Sequence, residues 1–585
     1  MNNWRIAPDP IPDEQIKAVH EADVIVVGLG HAGSAAIRAA AEAGVRVIGL
    51  ELMQEGRYNT WGQDIGHINS KFLESRGIPK VDPIDYFNEM MRRAGGRANP
   101  GLLMNFCKHA GENFDWYTDV VKSWKSVGTP FWPSGTKFDG EVSGYHFWPG
   151  TAQFHTAPAG GPPGGPDGEE PEIPEGAVRV GPGHDGPGGH GGPGGPGGPG
   201  GPGGHGGHGG PGGPGMDEDP DAMNLTDIAK ANQQKAKALG AEIYFGMAGY
   251  YLTKENGRVT GVVAKIQRTG EYELFKAEKG VILAAGGFGA NSEMMKELCN
   301  DLQDLYREGD GSTKKGMGRN GSGIKMAVWA GGCTEAGTLA TMGGNFNSHR
   351  GINGTWGILW LDPHGNRYCN EAFGDPVIAG FPGNQMPRGT YYNIIDSKVE
   401  DDLQWAVPAH EGYDGAQGNE RLHEAMQQAL AAGRGGTWIF APGGSIRMCA
   451  GNTMDELLDN AELTGTVREN VKKSIERYNE IARAGRDEDF GKDAKLLRPL
   501  DQWPLFIQFN TYTSRILCTV GGVVTNENQV VLDRDFEPIP GLYATGNTCG
   551  RRFGPQYSTP TAGLSIGMAI VLGREAGKNA AAGCI

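Results

Sequence analysis

The chain opens on a polar stretch, "MNNWRIAPDPIPDEQIKAVHEAD", and then turns abruptly apolar. Val24–Val27 is an unbroken apolar run, the pattern of a strand buried on both faces. It runs into Gly28-x-Gly30-x-x-Gly33, and the Ala-rich stretch that follows predicts a helix ending at Gly44. A second apolar run, Val45–Leu50, predicts another strand and stops at the acid Glu51. Residues 240–263, "GAEIYFGMAGYYLTKENGRVTGVV", read as strand, turn at Asn256-Gly257, and strand. "VILAAGGFG" (281–289) and "GLYATGN" (541–547) are apolar strands ending in small-residue turns. Between 464 and 484, apolar residues fall at Val467, Val471, Ile475, Tyr478 and Ile481. That is the spacing of a helix with one buried face, and Thr464 or Thr466 caps its start. The last apolar pattern, from about Leu564 to Ala576, predicts a closing helix led by "GRRFGPQYSTPTAG".

Composition narrows the classes. The chain has 585 residues, enough for two to four domains, and a formal net charge of −16. That balance argues against a nucleic-acid surface, which needs clustered Lys and Arg. No apolar run approaches the roughly 18–20 residues of a membrane span. The N-terminal stretch shows no basic-then-apolar leader pattern, so the expected compartment is the cytoplasm. The eight cysteines include no Cys-x-x-Cys pair, which argues against clusters, structural zinc and a disulfide framework. Residues 159–215 are rich in Gly, Pro and His and cannot bury enough apolar surface to fold, so a disordered, solvated insertion is expected. Its His184, His190, His205 and His208 are of the type that binds transition metals in exposed sites.

The first motif carries a mechanism. Gly28 permits a tight turn, Gly30 lets a pyrophosphate approach the backbone, and Gly33 lets helix and strand pack closely. The helix N-terminus offers N–H groups and a positive dipole end to phosphates. Glu51, about 20 residues on, is placed to accept from ribose hydroxyls and disfavours a 2′-phosphate. Strand, turn, helix, strand and acid in this order predict a dinucleotide site, with FAD and NAD both open.

The order of the Ala-Gly-Gly strand at 281–289, the Gly-Leu-Tyr-Ala-x-Gly strand at 541–546 and the first motif resembles the flavoproteins that include fumarate reductases, succinate dehydrogenase flavoprotein subunits and 3-ketosteroid dehydrogenases. The resemblance implies FAD and an α/β fold: a Rossmann-like FAD-binding domain, split in sequence over 20–158, 216–335 and 508–585, with an inserted α+β capping domain over 336–507. It also implies cofactor contacts from His31, Ala32, Leu52, Ala248, Ala285, Gly286, Gly546 and Asn547. Leu564 and Ser565 would begin a helix pointing its N-terminus at the flavin. "YNTWGQDIGHINS" (58–70) matches the loop that wraps the flavin. Tyr58, Asn59 and Thr60 stand where succinate dehydrogenases carry their FAD-linked histidine, so the implied FAD is noncovalent, with Asn59, Thr60 and Gly66 beside it. For His67 a hydrogen-bonded loop role and a cofactor role weigh equally. "PHGNRYCNEAFG" (363–374) is similar to the family's Gly-x-Arg-Phe-x-Asn-Glu cap element, and "NGSGIKMAVWAGG" (320–332) to its Gly-rich turn–helix.

The residues that hold a dicarboxylate in that family are replaced. Asp375 stands at the proton-donor arginine, Pro560 at the substrate arginine, and neither Leu517–Gly522 nor Leu339–Gly344 carries the expected histidines. A buried, unpaired substrate carboxylate pair is costly, which disfavours succinate and fumarate. The resemblance then implies an FAD-dependent reductase of an activated C=C bond, an enone or enoate, acting on a small unsaturated molecule with an external electron donor. Two alternatives stay open: a dehydrogenase of a cyclic ketone such as a 3-ketosteroid, and an electron-transferring flavoprotein subunit. The candidate catalytic residues are Tyr557 as acid or polariser, Arg551 and Arg552 for an anion, and Asp375 as an acid if burial raises its pKa. Trp116, Trp124, Trp132 and Trp148, with Trp356 and Trp360, either line a pocket for a flat apolar ligand or are ordinary core, the reading preferred here.

Overall fold

The structure, a computed structural model, describes residues 4–60, 62–129, 140–142, 144–154, 178–179, 219–299, 319–342, 357–372, 390–405, 415–441, 444–511 and 517–585. Of the sequence-derived candidates, Asp375, Trp132, Trp356 and the four histidines of the insertion lie outside these residues.

The larger sheet has eight strands, labelled here in chain order. They are β1 (Ile16–Val27), β2 (Val47–Glu51), β3 (Glu242–Phe245), β4 (Met247–Glu255), β5 (Arg258–Ile266), β6 (Tyr272–Leu283), β7 (Val530–Leu532) and β8 (Pro538–Ala544). The main path runs β7-β8-β6-β1-β2-β3, with β5 paired to β6 and β4 to β5. Helix α1 (His31–Glu42) follows β1, and helix α2 (Leu564–Ala582) closes the chain. β1 begins eight residues before the apolar run that announces it. Its first half pairs with β6 while alternating between half-buried and exposed positions, so hydropathy marks only the buried half.

Register positions the site. Val27 pairs with Leu50 of β2 and with Leu283 of β6, and Leu283 pairs with Ala544 of β8. The carboxyl ends of four parallel strands are therefore level, and the turns beginning at Gly28, Leu52, Ala284 and Thr545 share one edge. Ligands of open α/β sheets bind at this edge. α1 and α2 pack through small residues: a Cβ on Gly573 would lie 2.4 Å from the Ala32 carbonyl oxygen, and one on Gly577 2.4 Å from that of Ala36. The β4–β5 hairpin turns at Asn256-Gly257 with φ of +49° and +84°, the type I′ geometry that an Asn-Gly pair supplies.

A second sheet has six strands, most of them within the residues expected to form a cap. Its order is Leu359–Leu361, Thr390–Asp396, Leu505–Thr511, Gly444–Gly451, Thr437–Ala441 and Val178–Arg179. The helix predicted over 464–484 is present as Gly465–Ala484, with Val471, Ile475, Tyr478 and Ile481 buried. Two expected boundaries change. Leu505–Thr511 pairs along its whole length with Thr390–Asp396, so a cap ending at 507 cuts through a strand. Val178 and Arg179 pair in parallel with Ile439 and Phe440, so part of the expected disordered insertion is an edge strand. Beneath this sheet, Arg367 makes two bonds of 2.9 Å to Glu371 and one of 2.8 Å to Asp487, and Lys492 lies 3.4 Å from Glu371. The Arg-x-x-x-Glu of the cap element is thus a buried ion network.

Candidate active site

At the level strand ends lies a cavity of 620 Å³. Gly28, with φ +91°, turns the chain where a Cβ would meet the Ala284 carbonyl oxygen at 2.7 Å. Gly33 packs so tightly that its Cβ would sit 1.8 Å from the Gly28 oxygen, which is the helix–strand contact expected of the third glycine. Gly30 differs: nothing lies within 4 Å of where its Cβ would be, and it faces the cavity. His31 and Ala32 continue the wall, with His31 Nδ1 3.2 Å from the Tyr117 hydroxyl.

Glu51 is buried at the end of β2 and lines the cavity. The N–H groups of Leu29 and Met53 donate to its two oxygens at 2.8 and 3.0 Å. A carboxylate has about four lone-pair sites, so acceptor capacity remains for a ribose. Leu52, Ala248, Ala285, Gly286, Gly546 and Asn547 line the same space. Thr60 lines it too, and its N–H donates to Thr226 Oγ1 at 3.0 Å. Asn59 stands behind it, accepting from the Thr226 hydroxyl at 2.7 Å.

The far wall is the start of α2. Gly563, Ser565 and Ile566 face the cavity. Tyr557 is buried in this wall, and the Ser565 N–H donates to its hydroxyl oxygen at 2.9 Å. The ring meets Phe553 edge-on at 4.8 Å. Asn547 Oδ1 accepts from Arg552 at 2.7 Å and from the Ser565 hydroxyl at 3.3 Å. Leu564, also expected at the cofactor, does not line the cavity; its side chain is buried in the core.

Several candidates are placed elsewhere. Gly66 does not line the cavity. Its N–H donates to the Gly563 oxygen at 2.9 Å, and a Cβ would meet the Ala562 oxygen at 2.3 Å, so its glycine serves packing against the start of α2. His67 is fully buried, 2.7 Å from Ser70 Oγ, 3.0 Å from the Ile65 carbonyl oxygen and stacked on Phe114 at 3.6 Å. Burial lowers its pKa to about 3, and the loop role is the one it has. Arg551, with φ +52°, turns away from the cavity and lies 5.1 Å over the Phe536 ring. Arg552 is buried behind the wall rather than exposed to a substrate. Trp124 and Trp148 pack on other rings, Trp116 lies 4.2 Å from the Arg38 guanidinium, and Trp360 is core. Sequence reasoning missed Arg319, Lys325, Lys265, Cys518 and Trp329, all of which line the cavity. Burial lowers the pKa of Lys325 and pushes the Cys518 thiol up to about 12. The Gly/Ser turn at 321–322 was the available signal for Arg319, since it opens a helix directly after it.

Glycine-rich turn, clamped acid and facing helix N-terminus define a dinucleotide-binding protein, and the open space at Gly30 with the acceptor capacity of Glu51 fits FAD. The model of the FAD-binding domain family matches residues 23–564, and the chain belongs to that family. It is 28% identical over 377 residues to the vinyl phenol reductase of Lactiplantibacillus plantarum, covering 60% of this chain and 70% of that one. It is 29% identical over 336 residues to the urocanate reductase of Eggerthella lenta, covering 56% of this chain and 48% of that one, so it spans about half of that relative's length. Among solved structures, a 3-ketosteroid-Δ4-(5α)-dehydrogenase from Rhodococcus jostii RHA1 shares the fold, with TM-score 0.61, 20% identity and coverage of 98% and 99%. Among the described residues, no helix is long and apolar enough to cross a membrane.

Proposed function

We propose that the protein reduces an activated carbon–carbon double bond, in an enone or enoate, using noncovalently bound FAD and an external electron donor. The observation that carries this reading is the Tyr557 phenol in the cavity wall, with the Ser565 N–H at the start of α2 donating to its oxygen. A phenol so placed is a proton donor whose developing negative charge is met by a backbone N–H at a helix N-terminus. The named activities of the two relatives, both reductases, support the direction.

Gly28, Gly30 and the start of α1 would hold the pyrophosphate, Glu51 the ribose, and the wall formed by Asn547, Ser565 and Gly563 the flavin ring. Bound FAD supplies two-electron hydride chemistry. The protein's part is to orient the alkene and complete the addition: Tyr557 Oη donates a hydrogen bond to the activating oxygen or a proton to the adjoining carbon. Neither Arg551 nor Arg552 faces the substrate, which leaves no paired arginines for a dicarboxylate among the described cavity residues.

The test is steady-state turnover with reduced viologen against a panel of enones, enoates and fumarate, with Tyr557→Phe beside the wild type. Removing a general acid costs roughly 10²–10⁴-fold in kcat. A variant with unchanged kcat removes Tyr557 from the mechanism. Turnover only of saturated cyclic ketones with an electron acceptor reverses the proposed direction.

A further inference from the structure

The two adjacent arginines of "GRRFG" have opposite fates. The left-handed backbone at Arg551 sends its side chain outward, while Arg552 turns inward and is wholly buried. Its Nε donates to the Cys549 carbonyl oxygen at 2.9 Å, and its Nη2 to the Val520 carbonyl oxygen at 2.9 Å and to Asn547 Oδ1 at 2.7 Å. All three acceptors are neutral, and Nη1 is buried with no hydrogen-bond partner among the described residues. The Glu335 carboxylate acts on the guanidinium through its charge and not through a hydrogen bond, and accepts from the N–H groups of Gly522 and Arg551 at 3.0 and 3.1 Å. Burial lowers the Arg552 pKa, as expected of a charge with too little compensation. A buried guanidinium without a bonded carboxylate is costly, and its field reaches far in a low-dielectric interior.

What lies on the other side of Asn547 is the cavity. Asn547 lines it, and the same Oδ1 that accepts from Arg552 accepts from Ser565, whose N–H holds Tyr557. We propose that Arg552 is an electrostatic positioning residue for the flavin: its charge, hydrogen-bonded only to neutral acceptors and set behind the Asn547–Ser565 wall, favours the negative charge that FAD gains on reduction. Taking up two electrons and one proton from an external reductant makes the bound cofactor one unit more negative. Arg552 and the α2 N-terminus attract that charge from the same side. The inference rests on FAD occupying this cavity with its ring against that wall.

The experiment compares holoenzyme of wild type, Arg552→Gln and Arg552→Lys in two readouts independent of turnover. These are the two-electron midpoint potential from dye-equilibrated anaerobic titration, and the affinity for sulfite, which adds to the flavin and places negative charge on it. Arg552→Gln is expected to disfavour reduction at least tenfold, about 30 mV downward for a two-electron couple. Sulfite affinity falls by a similar factor. Arg552→Lys keeps the charge but loses the planar fork, and is expected within threefold of wild type. The inference is overturned if Arg552→Gln matches wild type within twofold, or if the Lys variant shifts tenfold or more. The second criterion stands by itself should the Gln variant not fold. Wild-type protein that takes up no FAD instead overturns the reading of the cavity.

Discussion

Gly30 and Gly33 sit three residues apart in one turn, yet the structure predicts opposite consequences for adding one methyl group to each. At Gly33 the new Cβ would lie 1.8 Å from the Gly28 oxygen, a backbone atom that has nowhere to go. Overpacking of this kind costs about 1–3 kcal/mol, and a backbone obstacle puts Gly33→Ala at or beyond the top of that range. At Gly30 the Cβ meets nothing within 4 Å, and φ −61° with ψ −165° is open to alanine. Gly30 is the N-cap of α1, where alanine costs about 1 kcal/mol, and restricting the unfolded chain returns about 0.4–1 kcal/mol. Apo stability of Gly30→Ala should therefore stay within about 1 kcal/mol of wild type. Its effect belongs to the cofactor: a methyl in the path of the pyrophosphate costs about 1–3 kcal/mol, roughly 5- to 150-fold in FAD affinity. The assay is thermal unfolding of apo protein beside FAD titration of the same samples. A Gly30→Ala protein that binds FAD like wild type refutes the placement of the phosphates over Gly30. A stable Gly33→Ala protein refutes the packing argument.

Other consequences are as specific. Arg367→Met leaves Asp487 without a guanidinium partner and Glu371 with Lys492 alone, and breaking a buried pair from one side costs about 3–5 kcal/mol. Denaturant unfolding of the variant should show that loss, and a change under about 1 kcal/mol contradicts it. His67 has a folded pKa near 3 against 6.5 in the unfolded chain, so below pH 6.5 the unfolded state takes a proton that the folded state refuses. Stability falls as pH drops through the window from 6.5 to 3, by about 1.4 kcal/mol per unit for this group. His67→Gln should lose one proton's worth of that slope between pH 6 and 4, and equal slopes in the two proteins contradict the burial argument.

What the sequence showed and what it hid divide by range. Gly28, Gly30, Gly33 and Glu51 lie within one 30-residue unit whose hydropathy and turn chemistry are local, and Gly28, Gly30 and Glu51 line one cavity while Gly33 packs against Gly28. Gly66 is a glycine because of Gly563, almost 500 positions away, and no pattern near either residue announces that contact. Arg551 and Arg552 are indistinguishable as letters. A single left-handed backbone at Arg551 decides that one stacks on Phe536 and the other is buried. The half-exposed start of β1 and the full length of Leu505–Thr511 were lost for a related reason: strand extent is fixed by pairing partners, and hydropathy reports only the buried part. Trp124 joins the apolar packing because the rings of Phe72 and Phe114 receive it at 5.0 and 6.1 Å, while Trp148 stacks on His146 at 3.8 Å.

The central claim is that this cavity passes a hydride equivalent and a proton to an activated double bond. Its most direct test is a single turnover: FAD-loaded protein is reduced anaerobically with one equivalent of dithionite and mixed with each enone or enoate, while flavin absorbance and products are followed. The account predicts that at least one such compound reoxidises the flavin fully and yields one equivalent of the saturated product per FAD. Flavin that stays reduced against every enone and enoate, yet reoxidises on admission of oxygen, would contradict it.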